Sequence, residues 1–499
     1  MHQLNDSSRQ NKIKMNDAAR QLKPAQVWQN FADLNAIPRC SKKEERVRQF
    51  IKKFGESLGL PTVVDSIGNV IIKKPASPGM EERKTVVMQA HLDMVCQKNA
   101  DTDFDFDKEG IRMKVNGDWV EAEGTTLGAD NGIGVAMIMT LLQSDNIPHP
   151  PIEALFTIDE ETGMTGALGL EPGELEGKIL LNIDTEDDDE LTIGCAGGID
   201  ITATASYNTE DCNGLEACKV VVRGLTGGHS GMDIHLGRAN ANKVMNRLLW
   251  HAENEVNARV AEIDGGGLRN AIPRESFAVV LTDAGQGEAL KSLIDRLAAD
   301  ICAEFSTTDP DMFIGVEACG KPARMLDKDA QYRLLRAIYS CQNGIYRMSP
   351  DIPGLVQTSN NLARVSLSDG KLEIQCLTRS SSDSEKMDLA HSIQSAFELA
   401  AADVQFGGSY PGWQPEPGSS IVHLMEDLYR EIFKSEPKVN ACHAGLECGI
   451  IGSKYPGMEM ISFGPNIRGA HSPDEKVQIS SVQKSWEFLL KTLERIPKA

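Results

Sequence analysis

The chain has 499 residues, with 51 Lys and Arg against 72 Asp and Glu, for a formal net charge of −21. That balance argues against nucleic acid or an anionic membrane as the main partner, since both recruit basic side chains. Hydrophobic residues make up 41% and charged residues 25%, an ordinary globular composition. A length of this order predicts about two to four domains.

In chain order, the polar opening MHQLNDSSRQNKIKMNDAARQLK lacks the apolar core of a signal peptide. It reads as a loose tail over 1–23, with Met15 a second candidate start. No apolar run reaches the roughly 18 residues of a membrane span. The eleven cysteines contain no CxxC pair. They read as reduced thiols of a cytosolic protein, with Cys195, Cys302 and Cys376 as small core residues. Val47, Phe50, Ile51, Phe54 and Leu58 recur at helical spacing behind Ser41, a candidate cap. Four short apolar runs then have strand length: 69–74, 85–91, 152–158 and 178–184, with a buried helix predicted over 131–143. Strands alternating with helices predict an α/β layer architecture, a mixed sheet sandwiched by helices.

The pattern changes after residue 197. Strands at 219–225, 277–282 and 312–318, two more near 362–379, and helices at 237–255, 287–304, 327–340 and 383–402 predict a smaller α+β domain over 198–400. The segment GGSYPGWQPEPGSS (407–420) reads as a linker. The α/β pattern resumes over 401–499, completing a first domain begun at 24–197. A helix is expected at 421–434, a strand at 458–463 and a last helix at 479–495.

Polar residues cluster just past the ends of the apolar strands, the edge where α/β sheets bind ligands. His91 and Asp93 follow the strand at 85–91. Residues two apart in extended chain share a side, so Asp93 could orient the His91 imidazole for a metal. Asp130 lies in GTTLGADNGIG, between glycines, and could equally cap a helix. Asp159, Glu160 and Glu161 crowd one strand end, which suits a carboxylate ligand beside a general base. Asp184 ends another apolar run, and the following TEDDDE reads as a solvated acidic loop. His229 lies in GGHSG and His471 in GAHSPDE. His423 reads as structural, on an amphipathic helix, and His443 in CHAGLECG is ambiguous. Two histidines and three carboxylates match a pair of divalent cations held by nitrogen and oxygen donors.

In this order, HLDMV, GTTLGADNGIG, DEETGMTGA, GCAGGID, GGHSG, LRNAIPRE, PGWQP, HAGLECG and HSPDE closely resemble the zinc-dependent exopeptidase family of carboxypeptidase G and the carnosinases, from about Trp28 to Ile496. The resemblance implies a catalytic α/β domain interrupted by a smaller lid or dimerisation domain. It implies two divalent metals, zinc first, with cobalt or manganese as substitutes. His91 and Asp184 would hold one, Glu161 and His471 the other, and Asp130 would bridge them. It also implies that Asp93 orients His91 and that Glu160 is the general base for a metal-bridging water. His229 would polarise the scissile carbonyl across a dimer interface, and Asn270 and Arg379 would bind the substrate carboxylate. The expected activity is hydrolysis of unblocked dipeptides, Xaa-His and β-Ala-His among them, by a cytoplasmic homodimer. LRNAIPRE and HAGLECG favour this over a tripeptidase or an acylamino-acid deacylase with the same metal site; a non-catalytic relative would be expected to lack Glu160 or a ligand.

Overall fold

A computed structural model describes residues 16–499. Most of the expected polar tail, including Met15, lies outside the described residues. The rest of it is ordered. Residues 16–20 are helical, Ala19 is fully buried, and Asn16 accepts a hydrogen bond from the Met113 amide.

The chain divides into two compact units: one formed by residues up to Gly194 with Pro415–Ala441 and Glu447–Ala499, the other by Cys195–Gln414 with Cys442–Leu446. The first is built on an eight-stranded sheet. Its strands, in spatial order, are Thr62–Val64, Val70–Lys74, Ile152–Thr157, Val86–His91, Ile179–Asn182, Glu459–Ser462, Glu190–Cys195 and Lys438–Cys442. Val86–His91 is buried at every position and pairs in parallel with a strand on either side. That placement explains why it reads as an unbroken apolar run rather than an alternating one. Glu459–Ser462 is parallel to Ile179–Asn182 in turn. The four central strands therefore end at the same edge, each followed by one of the polar segments singled out above. Helix Ala129–Gln143 is apolar on all sides. It packs on Val86–His91 and on helix Ala25–Asn35, which suits an element with no solvent face. A second sheet joins Ile467–Arg468, Lys476–Gln478, Trp119–Ala122 and Met113–Asn116. It ties the segment carrying His471 to the stretch before Asp130.

The second unit is a nine-stranded sheet, antiparallel in its pairings, with helices Ala241–Val256, Gly287–Glu304, Lys328–Ser340 and Asp383–Glu398 sharing its core. Its end differs from the expected boundary at 400. Asp403–Tyr410, read partly as linker, is a strand hydrogen-bonded to Gly197–Ser206. Its Gly and Ser content hid the pairing, because backbone hydrogen bonds rather than apolar side chains hold it.

Two local expectations also change. Ser41 caps no helix; helix Glu45–Ser57 begins after Glu44 without a side-chain cap, and the Ser41 hydroxyl donates to Asp93. The cysteines are not all reduced, because Cys40 and Cys96 form a disulfide while nine others are free. No helix of the described residues is long and apolar enough to cross a membrane.

Phe156 is fully buried on the strand beside Val86–His91. Phe156→Ala is expected to destabilise the first unit by about 3–5 kcal/mol, read as a lower denaturation midpoint.

Candidate active site

In the first unit, the strand edge gathers His91, Asp130, Glu160, Glu161, Asp184 and His471. Asp130 sits between the two imidazoles. Its Oδ1 lies 3.1 Å from His91 Nε2 and its Oδ2 3.2 Å from His471 Nε2. Asp184 Oδ1 is 3.6 Å from His91 Nε2, and Glu161 Oε2 is 2.9 Å from His471 Nε2. These atoms fall into two overlapping groups, His91–Asp130–Asp184 and Asp130–Glu161–His471, each spanning at most 4.8 Å. Donors about 2.0–2.2 Å from a shared tetrahedral ion lie some 3.4 Å apart, so both groups have the spacing of a coordination sphere.

The surroundings hold this arrangement. Asp93, fully buried, lies 3.3 Å from His91 Nδ1, on the opposite side of the ring from Nε2, which faces Asp130. Asp93 also accepts from the Ser41 hydroxyl at 2.8 Å and from the amides of Glu160 (3.0 Å) and Glu161 (3.2 Å). It thereby fixes both the ligand and the acidic turn. Burial works against its charge, but hydrogen bonds from His91, Ser41 and Glu160 hold its pKa below the usual carboxylate range. Asp159 (φ 52°) and His471 (φ 64°) occupy the left-handed region, uncommon outside glycine. Such outliers persist where surrounding structure over-determines them, commonly at functional sites.

Sequence reasoning missed several contributors. Glu475, in HSPDE, accepts from the amides of Leu127, Gly128, Ala129 and Asp130 at 2.7–3.2 Å, clamping the turn that carries Asp130. That turn needs Gly128, whose φ of 70° and contact with Arg39 Nη2 leave no room for a Cβ. Asn131 donates to Asp184 Oδ1 and to the Ile183 carbonyl. Glu447, in HAGLECG, is buried beneath the edge and accepts from Gln89 and the Thr157 hydroxyl, both at 2.6 Å. Burial pushes its pKa up to about 8. Glu186, read as part of a solvated loop, is likewise pushed to about 8 by burial and by the nearby Asp130 and Asp184. The signal for all of these was weak, since an acid that accepts from backbone amides has no sequence pattern of its own.

The charge balance tests whether cations fit. Burial, with Asp184, Glu447 and Glu161 adding to it, holds the Glu160 carboxyl well above the usual range against the pull of His91. Glu161 is raised by burial and Asp130, against His471. Hydrogen bonds to Asp130 and Glu161 lift His471 to about 11. Burial opposes the charge of His91, yet Asp184, Asp130 and Asp93 hold its pKa far above normal. Glu161 Oε1 is buried with no hydrogen-bond partner. Crowded carboxylates that stay charged only by protonating their neighbours, with an oxygen left open, are the donor set that divalent cations satisfy.

In the second unit, His229 Nδ1 accepts from the amides of Gly231 (3.2 Å) and Met232 (3.0 Å). The neutral ring therefore carries its proton on Nε2, a donor free to meet a carbonyl. Burial and the Arg379 charge lower the His229 pKa and keep it neutral. Arg379 is 5% exposed, donates from Nη1 to the Tyr410 hydroxyl at 2.9 Å, and leaves Nε buried without a hydrogen-bond partner. His443, unassigned by sequence, bonds Ser359 Oγ at 2.7 Å, and burial takes its pKa down to about 3. Gly231 is fixed by that segment, because a Cβ there would strike the His443 carbonyl. Asn270 is exposed.

A strand edge with this donor set defines a metal-dependent hydrolase. The chain matches the model of peptidase family M20/M25/M40 over residues 87–495, and it belongs to that family of metallopeptidases. It is 41% identical over 478 residues to the cytosol non-specific dipeptidase of Escherichia coli (strain K12), covering 96% of this chain and 99% of the relative. The crystal structure of aminoacylhistidine dipeptidase from Vibrio alginolyticus superposes with a TM-score of 0.91 at 44% identity, covering 96% of this chain and 98% of that one. Aminopeptidase PepT from Bacillus cereus shares the fold at 16% identity and a TM-score of 0.56, covering 95% of this chain and 99% of its own.

Glu475→Ala removes the acceptor for four amides of the Asp130 turn. It is expected to weaken metal binding about 10–100-fold with an unchanged circular dichroism spectrum, measured by competition with a chelator.

Proposed function

We propose that this chain hydrolyses unblocked dipeptides, Xaa-His among them, using two divalent metal ions, zinc first, with cobalt or manganese as substitutes. The observation that carries this is Asp130, shared between His91 and His471 at one strand edge, in a chain so similar to a protein named as a dipeptidase. His91 and Asp184 would hold one ion and Glu161 and His471 the other, with one Asp130 oxygen directed to each. When bound, such ions supply Lewis-acid charge to a peptide carbonyl and lower the pKa of water.

The protein's own residues supply the rest. Glu160 stands beside the ligands in a setting that raises its proton affinity, as a group must that takes a proton from water and returns it to the leaving amine. Asp93 keeps the His91 ring in one tautomer. His229, supplied across the dimer interface, would offer Nε2–H to the carbonyl oxygen, where negative charge develops. Arg379 is a buried guanidinium with no carboxylate in salt-bridge range among the described residues, flanked by two neutral histidines. A buried cation whose nearby carboxylate, Asp200, makes no salt bridge to it can take an anion, and the peptide's terminal carboxylate fits it. Asn270 would contact the same carboxylate.

We place the protein in the cytoplasm, as the name of its relative states for that protein, and as a homodimer through the second unit. Strand Gly344–Met348 pairs only with Val356–Ser368. It exposes Ile345, Tyr346 and Met348 beside the turn Ile234–Leu236, an apolar sheet edge that a second copy would cover.

Glu160→Ala should lower turnover of Ala-His about 10²–10⁴-fold while retaining its metal; near-normal turnover would remove Glu160 from the mechanism. Arg379→Ala should raise KM for Ala-His about 10²–10³-fold, and the loss should vanish for a C-terminally amidated dipeptide. A liberated-amine assay on Ala-His, β-Ala-His, a tripeptide and an N-acyl amino acid is expected to favour the free dipeptides; preference for the tripeptide or the acylated substrate overturns the assignment.

A further inference from the structure

The Cys40–Cys96 disulfide lies against the metal-orienting residue. Cys40 follows Arg39, a buried side chain whose Nη1 donates to the carbonyls of Leu92 and Asp93, both at 3.0 Å. Cys40 precedes Ser41, whose hydroxyl donates to Asp93 Oδ2. The Met94 amide donates to the Arg39 carbonyl at 3.2 Å and the Ser41 amide to the Met94 carbonyl at 3.4 Å, so Cys40 pairs with Met94 as a short parallel bridge. Cys96 lies two residues further on. The Cα atoms of the two cysteines are 5.6 Å apart across 56 residues of sequence, within the range that a disulfide spans. The bond thus closes covalently the same contact that hydrogen bonds make around Asp93. It is the one disulfide among the described residues, and both of its cysteines are only half-buried. Disulfides in reducing compartments are commonly transient and redox-sensing rather than structural.

We propose that Cys40 and Cys96 form a reversible thiol–disulfide modification site that sets how firmly the Asp93 segment holds His91 and, through it, the metal. The reactant is a small-molecule disulfide of the glutathione class. One cysteine thiolate attacks it and releases one small thiolate, leaving a mixed disulfide. The second cysteine thiolate attacks the protein sulfur of that bond, forming Cys40–Cys96 and releasing the second small thiolate. The two cysteine thiols lose two electrons and two protons, and the small disulfide gains them as two thiols. A dithiol reverses the exchange. In the reduced state the Arg39, Ser41 and Met94 hydrogen bonds remain, so the segment loosens without unfolding. The metal consequence rests on the metal site proposed above; the thiol chemistry does not.

The test uses the full-length, metal-loaded protein. After equilibration with glutathione disulfide or with dithiothreitol, free thiols are alkylated and the peptides mapped. Cys40 and Cys96 should be linked in the first sample and alkylated in the second, with the other nine cysteines alkylated in both. Metal release to a chelator is then timed, after the small thiols are removed. The reduced protein and the Cys40→Ser/Cys96→Ser variant should both lose metal about 3–10-fold faster than the oxidised protein, less than when a direct partner of a ligand is removed. Turnover at saturating metal should be unchanged in the variant. Cys40 and Cys96 alkylated in both samples, a link between them that dithiothreitol leaves intact, or equal release rates would each overturn the proposal. A protein that binds no metal in either state would instead defeat the metal-site reading, while the mapping still reports on the thiols.

Discussion

Negative charge held out of water is the constraint around which the first unit is organised. Asp130 is mostly buried, and its two oxygens face two imidazoles. Glu160, Glu161 and Asp184 stand close by, and Glu447 and Glu186 lie behind them with carboxyls that burial drives toward the protonated form. Isolated charges in such a place are costly, so the surrounding chain supplies compensation wherever it can. Glu475 is satisfied by backbone amides, Asp93 by a hydroxyl and two amides, and Asp184 by Asn131. The compensation stops short at Glu161 Oε1 and at the Glu160 carboxyl.

The second unit solves the opposite problem. Arg379 is buried beside a tyrosine hydroxyl and two histidines kept neutral by burial and by its own charge, and the Asp200 carboxylate acts on it only from beyond salt-bridge range. Backbone amides directed at His229 Nδ1 choose the tautomer of that ring in the same way that Asp93 chooses the tautomer of His91. In both units the ring nitrogen that faces away from these partners is therefore set by what lies against the other nitrogen.

Much of the fold was legible. Helix Gly287–Glu304 falls where periodicity places it, because Leu290, Leu293, Ile294, Leu297 and Ile301 bury one regular face, and strand Phe313–Ala318 falls on the expected apolar run. The strand-end positions of His91, Glu160 and Asp184 were readable too, since an apolar run that stops at a polar residue marks the edge of a sheet. Strand Asp403–Tyr410 was not legible, as backbone pairing leaves no trace in a Gly- and Ser-rich segment. Ser41 misled for a related reason: a hydroxyl before a helix looks like a cap until a carboxylate 52 residues away claims it.

The sequence by itself determined the set of donors, their order and the strands that carry them, because hydrophobic patterning and motif spacing are local properties. Composition argued against nucleic acid and anionic membrane surfaces as main partners, because a net charge of −21 repels both. Only the tertiary structure decided that Glu475 clamps the Asp130 turn, that Glu447 is buried and Glu186 half-buried, and that Cys40 meets Cys96. Those outcomes depend on burial and on partners as far as 358 residues away in the chain. The energy of a charge or a thiol is set by what surrounds it in space, and no window of sequence contains that neighbourhood.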